Sequence, residues 1–138
     1  MNPKTLALQE RTRTFATSVI RFCESLPSAK AAQTIASQLI DSATSVDSNY
    51  RAACRARSPR EFIGKIGLVV EEADESLGWL HLLVTSGIQT RDAAAGLLNE
   101  ADELVAIFVA SEKTARRNYE TESARRKSAR RKSTPGSP

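Results

Sequence analysis

The residues of this chain best suited to chemistry are few. A lone histidine, His81, would have to serve any Ser-His-Asp or Cys-His relay. It stands two residues past Trp79, on the helix flank away from Leu80 and Val84, where a surface or interface imidazole is expected rather than a general base. Carboxylates are richer. Glu71, Glu72, Asp74 and Glu75 cluster, with Glu72 and Glu75 at i,i+3, and Glu100 and Glu103 repeat that spacing. Such pairs on facing helices could hold a di-metal centre, but bundles of that kind also use Glu-x-x-His motifs, and this chain has none. The cluster therefore divides. Glu71 and Asp74 read as a solvated face, while Glu72 and Glu75 flank an apolar stripe and should accept hydrogen bonds from neighbouring helices. Cys23 and Cys54 form no Cys-x-x-Cys pair and read as reduced core or near-core residues. There is no glycine-rich phosphate loop. The expectation is a non-enzyme with no catalytic residue, no metal and no cofactor.

The elements that position these residues are helices. The 138 residues suit one domain, with 41% hydrophobic and 26% charged residues. Aromatics are only 5%, so Ala, Leu, Ile and Val must build the core, which favours close helix packing over a large pocket. The sequence has neither a signal-peptide pattern nor an apolar run of the ~18–20 residues a membrane span needs. A soluble, cytoplasmic protein is the expectation.

Punctuation predicts four helices, at about 3–26, 28–57, 59–86 and 91–119. Pro3 suits a first helical turn, and Pro27 ends the first helix. The apolar stripes run Leu8, Phe15, Val19, Phe22, Leu26 on the first helix and Ala32, Ile35, Leu39, Ala43, Val46, Tyr50, Ala53 on the second. Ser58-Pro59-Arg60-Glu61 has the form of a capping box, in which Glu61 reaches back to the Ser58 N–H. The third stripe is Phe62, Ile66, Val69, Ala73, Leu77 or Leu80, and Val84. Gly64, Gly67 and Gly78 interrupt that helix and would be tolerated where another backbone packs against them. Gly87 is placed to end it in the left-handed region. Thr90 caps the fourth helix, whose stripe is Ala94, Leu97 or Leu98, Ala101, Leu104 or Val105, and Phe108. Short connections imply an antiparallel up-down-up-down bundle, an all-α fold.

The charge is divided. Residues 1–115 carry 12 Lys/Arg against 14 Asp/Glu, whereas 116–138 carry 8 against 2. From Ser123 the chain twice reads Ser-Ala-Arg-Arg-Lys and then Ser-Thr-Pro-Gly-Ser-Pro. With no apolar face, residues 120–138 are expected to form a disordered basic tail. Arg125, Arg126, Lys127, Arg130, Arg131 and Lys132 could contact RNA or DNA phosphates there. The absence of interleaved aromatics would make that contact non-specific.

Three groups of residues together resemble the bacterial four helix bundle protein family, whose founding members are read from intervening sequences in 23S rRNA genes. They are Glu10-Arg11-Thr12 with Phe15-Ala16; Ser45-Val46-Asp47-Ser48-Asn49-Tyr50-Arg51-Ala52; and Phe62-Ile63-Gly64-Lys65-Ile66, Glu71-Glu72-Ala73-Asp74-Glu75-Ser76 and Trp79-Leu80. The resemblance covers about residues 5–110. Many relatives carry Glu where this chain has Ala52, and Lys where it has Glu71. The resemblance implies an up-down bundle that assembles into homopentamers and no enzymatic activity. A more distant likeness is to the accessory protein of diversity-generating retroelements, a pentameric bundle that binds a reverse transcriptase and nucleic acid.

The motif residues also support a reading of their own. Asn49 lies beside the second stripe and Glu72 beside the third, so Glu72 or Glu75 is expected to accept from Asn49, Arg11 or both. A buried carboxylate without partners would cost several kcal/mol. Trp79 and Leu82 fall off the core stripe and are candidates for a subunit interface. The leading expectation is a homo-oligomeric structural or adaptor protein. A nucleic-acid-binding module using the tail comes second, and a carboxylate metal-binding bundle third.

Overall fold

A computed structural model describes residues 1–133. It consists of four helices, α1 (Pro3–Glu24), α2 (Lys30–Cys54), α3 (Pro59–Thr85) and α4 (Arg91–Ser133). Several boundaries have a local cause. Asn2 caps α1 by accepting from the Lys4 N–H at 2.7 Å, with Pro3 in the first turn. Ser58 caps α3 by accepting from the Glu61 N–H at 3.1 Å. The reciprocal half of the expected capping box is displaced by one residue, because the Glu61 carboxylate accepts from the Arg57 N–H at 3.4 Å instead. Gly87, at φ 79°, closes α3 in the left-handed region, and Thr90 caps α4 by accepting from Ala93 N–H at 3.2 Å.

The helices pack in chain order. The Cys23 thiol reaches the Ala36 carbonyl, and the Thr12 hydroxyl reaches Asp47. As α1 advances eleven residues α2 therefore retreats eleven, which makes the pair antiparallel. Ser42 and Ser76 share a hydrogen bond of 2.8 Å between α2 and α3. Glu112 of α4 lies over Gly67 of α3, while His81 and Leu77 near the end of α3 face Ala95 and Asn99 near the start of α4. Thus α2 packs on α1 and α3, and α3 packs on α4. The α1–α4 seam is much the thinnest, and α1 and α3 occupy opposite corners.

The core is small and aliphatic, as the composition requires. Ala32, Ala36, Ala43, Ala53, Ala73, Ala94 and Ala101 are buried between Val19, Leu39, Val46, Ile66, Val69, Leu80 and Leu104. Tyr50 and Phe108 meet across the bundle with ring centroids 5.1 Å apart, filling the end where the fourth stripe fades. On α3 the buried line runs through Ile63 and Leu83, and the expected Phe62 and Val84 lie half-buried on its flank. Neither Gly64 nor Gly78 has a close neighbour, since a Cβ at either would meet nothing within 4 Å. Gly67 is approached by a side chain, Glu112, rather than by a backbone.

The largest difference from the sequence reading is α4. It continues to Ser133, where a helix ending near 119 and a disordered tail were expected. Two physical causes support the extension. Residues 116–133 contain no Gly or Pro and are mostly Ala, Arg, Lys and Glu, all good helix formers. Glu122 also pairs with Arg126 and Arg125 one turn on, at 3.4 and 3.9 Å. Arg130, Arg131 and Lys132 lie in the last turn, where positive charge suits the helix dipole. The final residues of the expected tail, 134–138, lie outside the described residues. No described helix is long and apolar enough to cross a membrane.

Candidate functional site

Two polar clusters lie between the helices, and neither has the membership expected from sequence. Arg11, half-buried on α1, forks onto Glu100 of α4. Its Nε and Nη2 donate to the two carboxylate oxygens at 2.8 and 2.7 Å, and Nη2 also donates to Glu103 at 2.9 Å. The pairing with Glu72 or Glu75 does not form, because α3 sits diagonally across the bundle from α1. The hydrogen bonds to Glu100 and the two carboxylate charges raise the Arg11 pKa further. Glu100 and Glu103 are therefore ligands of a guanidinium, not one half of a carboxylate cage.

The second cluster centres on Asp47. This carboxylate is 8% exposed, on the buried side of α2. It accepts from the Thr12 hydroxyl at 3.1 Å and from Arg13 Nε at 2.9 Å, and Arg51 Nε stands 3.7 Å away. Arg51 Nε is buried without a hydrogen bond, and Asp47 is its ion-pair partner among the described residues. Asn49, expected from sequence to donate to Glu72 or Glu75, is half-buried two residues on and outside the Asp47 cluster. Thr12 and Asp47 were missed although both belong to the motif pieces. The available signal was Asp47 lying between Val46 and Tyr50 on the apolar stripe, with Arg51 one turn later.

Glu72 is half-buried, and among the described residues its charged neighbours are other carboxylates. Burial pushes its carboxyl above the usual range, and Glu75, Glu71 and Asp41 push it the same way. Glu75 itself is exposed. Among the described residues, no group of three or more His, Cys, Asp or Glu converges closely enough to hold a metal ion. His81 is exposed at the rim of a groove with Arg91 and Asp102. Both cysteines are free thiols. Cys23 is buried and its pKa is pushed up to about 11, which leaves it protonated near neutrality. Burial, and Cys54 beside it, likewise raise the pKa of the Tyr50 hydroxyl.

What faces outward is more distinctive. Among the described residues, the exposed large apolar side chains are Met1, Leu6 and Ile20 at α1, and Leu68 and Leu82 on α3. Trp79 packs half-buried on its own core, and its buried indole N–H has no partner. Leu82 is 44% exposed. At the far end, α4 runs past the start of α3. An open cleft of about 800 Å³ lies between them, lined by Cys54, Arg57, Phe62, Tyr119, Glu122 and Arg126. Beyond Ser123 every described side chain is exposed. Residues 124–133 carry Arg125, Arg126, Lys127, Arg130, Arg131 and Lys132 and no acidic residue. The six cations thus extend from a helix rather than from a loose tail.

Among the curated proteins, none matches this chain. A solved crystal structure does: a protein of unknown function from the S23 ribosomal protein family of Bacteroides thetaiotaomicron. It is 26% identical, with a TM-score of 0.71, and the match covers 76% of this chain and 97% of that one. The model of the 23S rRNA-intervening sequence protein family matches residues 4–110, which takes in both polar clusters and the outer faces of α1 and α3, and the chain belongs to that family.

Proposed function

We propose that this protein is a non-enzymatic, homo-oligomeric structural or adaptor protein, assembled as a ring of five copies. The observation that carries this reading is the placing of its exposed apolar side chains. Leu6, Ile20, Leu68 and Leu82 are confined to the outer faces of α1 and α3. Exposed apolar residues scattered singly need no explanation, but paired stripes on two helices suit covering by another protein surface. The small aliphatic core, in turn, suits a scaffold. The resemblance to the bacterial four helix bundle family supports five as the copy number. Light scattering across micromolar concentrations tests the reading, and a monomer throughout would end it.

A second reading has its own observation. α4 carries six Lys/Arg over its last ten described residues, exposed beyond the bundle. A helix bearing cations on all sides suits the phosphates of RNA or DNA without base selectivity. A ring would multiply weak contacts by avidity. Replacing the six by Gln preserves helix propensity and removes the charge. Binding to a mixed-sequence RNA and DNA at two salt concentrations should then fall sharply. No binding by the unaltered protein at low salt would remove this reading. Charge-pairing with the helix dipole alone would then account for the cations.

A further inference from the structure

We infer that the outer face of α1 in one copy docks head-to-tail on the outer face of α3 in the next, with Leu6 and Ile20 seated against Gly64 and Gly78. The inference rests on the oligomeric reading above and assigns its contact surfaces. Leu6, Arg13 and Ile20 follow one another at intervals of seven on α1. Seven residues return to nearly the same side of a helix, so they form one outward line. Gly64, Glu71 and Gly78 repeat the interval on α3, and so do Leu68, Glu75 and Leu82 one turn further along. Gly64, Leu68, Glu71, Glu75, Gly78 and Leu82 are all absent from the buried face.

The two lines are complementary in shape. Both glycines open onto free space, and inside the subunit nothing requires them. Glycine in a helix interior is unfavourable, so the gap suits an incoming side chain. Each glycine with the leucine one turn above makes a notch. A projecting Leu6 or Ile20 fits such a notch as a knob fits a hole. The charges match as well. Arg13 lies midway between Leu6 and Ile20, its side chain 55% exposed and only its Nε engaged by Asp47. Glu71 and Glu75 lie midway between the two notches.

The heights also agree. Thr12–Asp47 and Cys23–Ala36 set the level of α1 on α2, and Ser42–Ser76 sets α2 on α3. Followed through these bonds, Leu6 comes level with Gly64, Arg13 with Glu71 and Ile20 with Gly78, to within about one turn (~5.4 Å). Both α1 and α3 are antiparallel to α2, so they point the same way. Copies related by rotation about an axis along the bundle have no shift along it. They therefore bring α1 to α3 in parallel and in this register. Because the two faces lie at opposite corners of one subunit, the contact is heterologous, the kind that propagates around a ring.

The test uses two full-length double variants and light scattering. Leu6→Gln with Ile20→Gln removes the knobs. Gly64→Gln with Gly78→Gln fills the notches, and both positions are exposed and gain helix propensity, so circular dichroism should show intact helices. Each variant alone should dissociate, its assembly weakened by about 30-fold or more, the size of a hot-spot loss. Mixed in equal amounts at high protein concentration, the two should form a 1:1 dimer, because each retains the face the other lacks. Either variant keeping the wild-type size, or a mixture that stays monomeric, would overturn the pairing. If the wild type is itself monomeric, the oligomeric reading falls and takes the pairing with it. If the wild type assembles and the variants assemble equally, only the pairing falls.

Discussion

Replacing Asp47 by Ala should be the most damaging single change to a polar residue in the bundle. The magnitude can be built from its partners. The bond from Arg13 Nε at 2.9 Å is charge-assisted, but the Arg13 side chain is 55% exposed and rehydrates when released. A surface-like value of about 0.5–1 kcal/mol is appropriate for it. Thr12 loses its bond to the carboxylate but still donates to the Gln9 carbonyl at 3.0 Å, so its hydroxyl is not stranded. That loss costs about 0.5–1 kcal/mol. Arg51 Nε is already buried without a hydrogen bond, so what it loses is its counter-charge 3.7 Å away, about 0.5–1 kcal/mol for a side chain 36% exposed. The expected destabilisation is therefore roughly 1.5–3 kcal/mol, with Asp47→Asn losing about half as much because one acceptor oxygen remains. Urea unfolding at fixed protein concentration is the assay, since assembly makes apparent stability concentration-dependent. The Thr12→Val/Asp47→Asn double-mutant cycle isolates their coupling. A loss below about 0.5 kcal/mol for Asp47→Ala would refute the reasoning, because it would mean the cluster is no better than a surface pair.

Three further outcomes are expected. Arg11→Met keeps the apolar stem but removes the fork onto Glu100 and Glu103. Stability should fall by about 1 kcal/mol at low ionic strength, and by less in 1 M salt, as measured by urea unfolding. Glu72→Gln should stabilise the subunit by about 0.2–0.5 kcal/mol at neutral pH, because it relieves crowding among carboxylates. The sign follows from linkage. With the folded-state pKa raised, the native protein holds the Glu72 proton longer than the unfolded chain does. Stability from this group therefore declines as pH rises from the ordinary glutamate range through the raised value, and the Gln variant should lose that slope. Gly87→Ala should cost about 1–2 kcal/mol, seen as a lower melting temperature, because alanine is strained at φ 79°.

Periodicity and punctuation carried most of the fold. Pro3, Ser58-Pro59, Gly87 and Thr90 mark helix ends through local chemistry that acts wherever the chain lies, and the structure uses all of them. The tail was misread because the expectation weighed its lack of an apolar face and neglected its propensity and the Glu122–Arg126 pair. The polar clusters were harder. Arg11 could be recognised as important, but its partner depends on which helices are neighbours. Arg11 finds Glu100 across 89 positions of sequence. Asn49 and Asp47 differ by two positions, about 200° around a helix, so they border the Val46–Tyr50 stripe on opposite flanks, and the stripe alone does not say which flank meets a polar partner.

The thin seam between α1 and α4 has a consequence for how the chain reaches this state. The main packing joins helices that follow one another along the sequence, so most of the bundle can assemble by zipping from one short turn to the next. Such topologies have low contact order and fold quickly. The Arg11 fork onto Glu100 and Glu103 is the exception, a closure over 89 positions, and its loop entropy is repaid only once the other helices are in place. It should act as a late latch. Weakening it should speed unfolding while leaving the folding rate nearly unchanged.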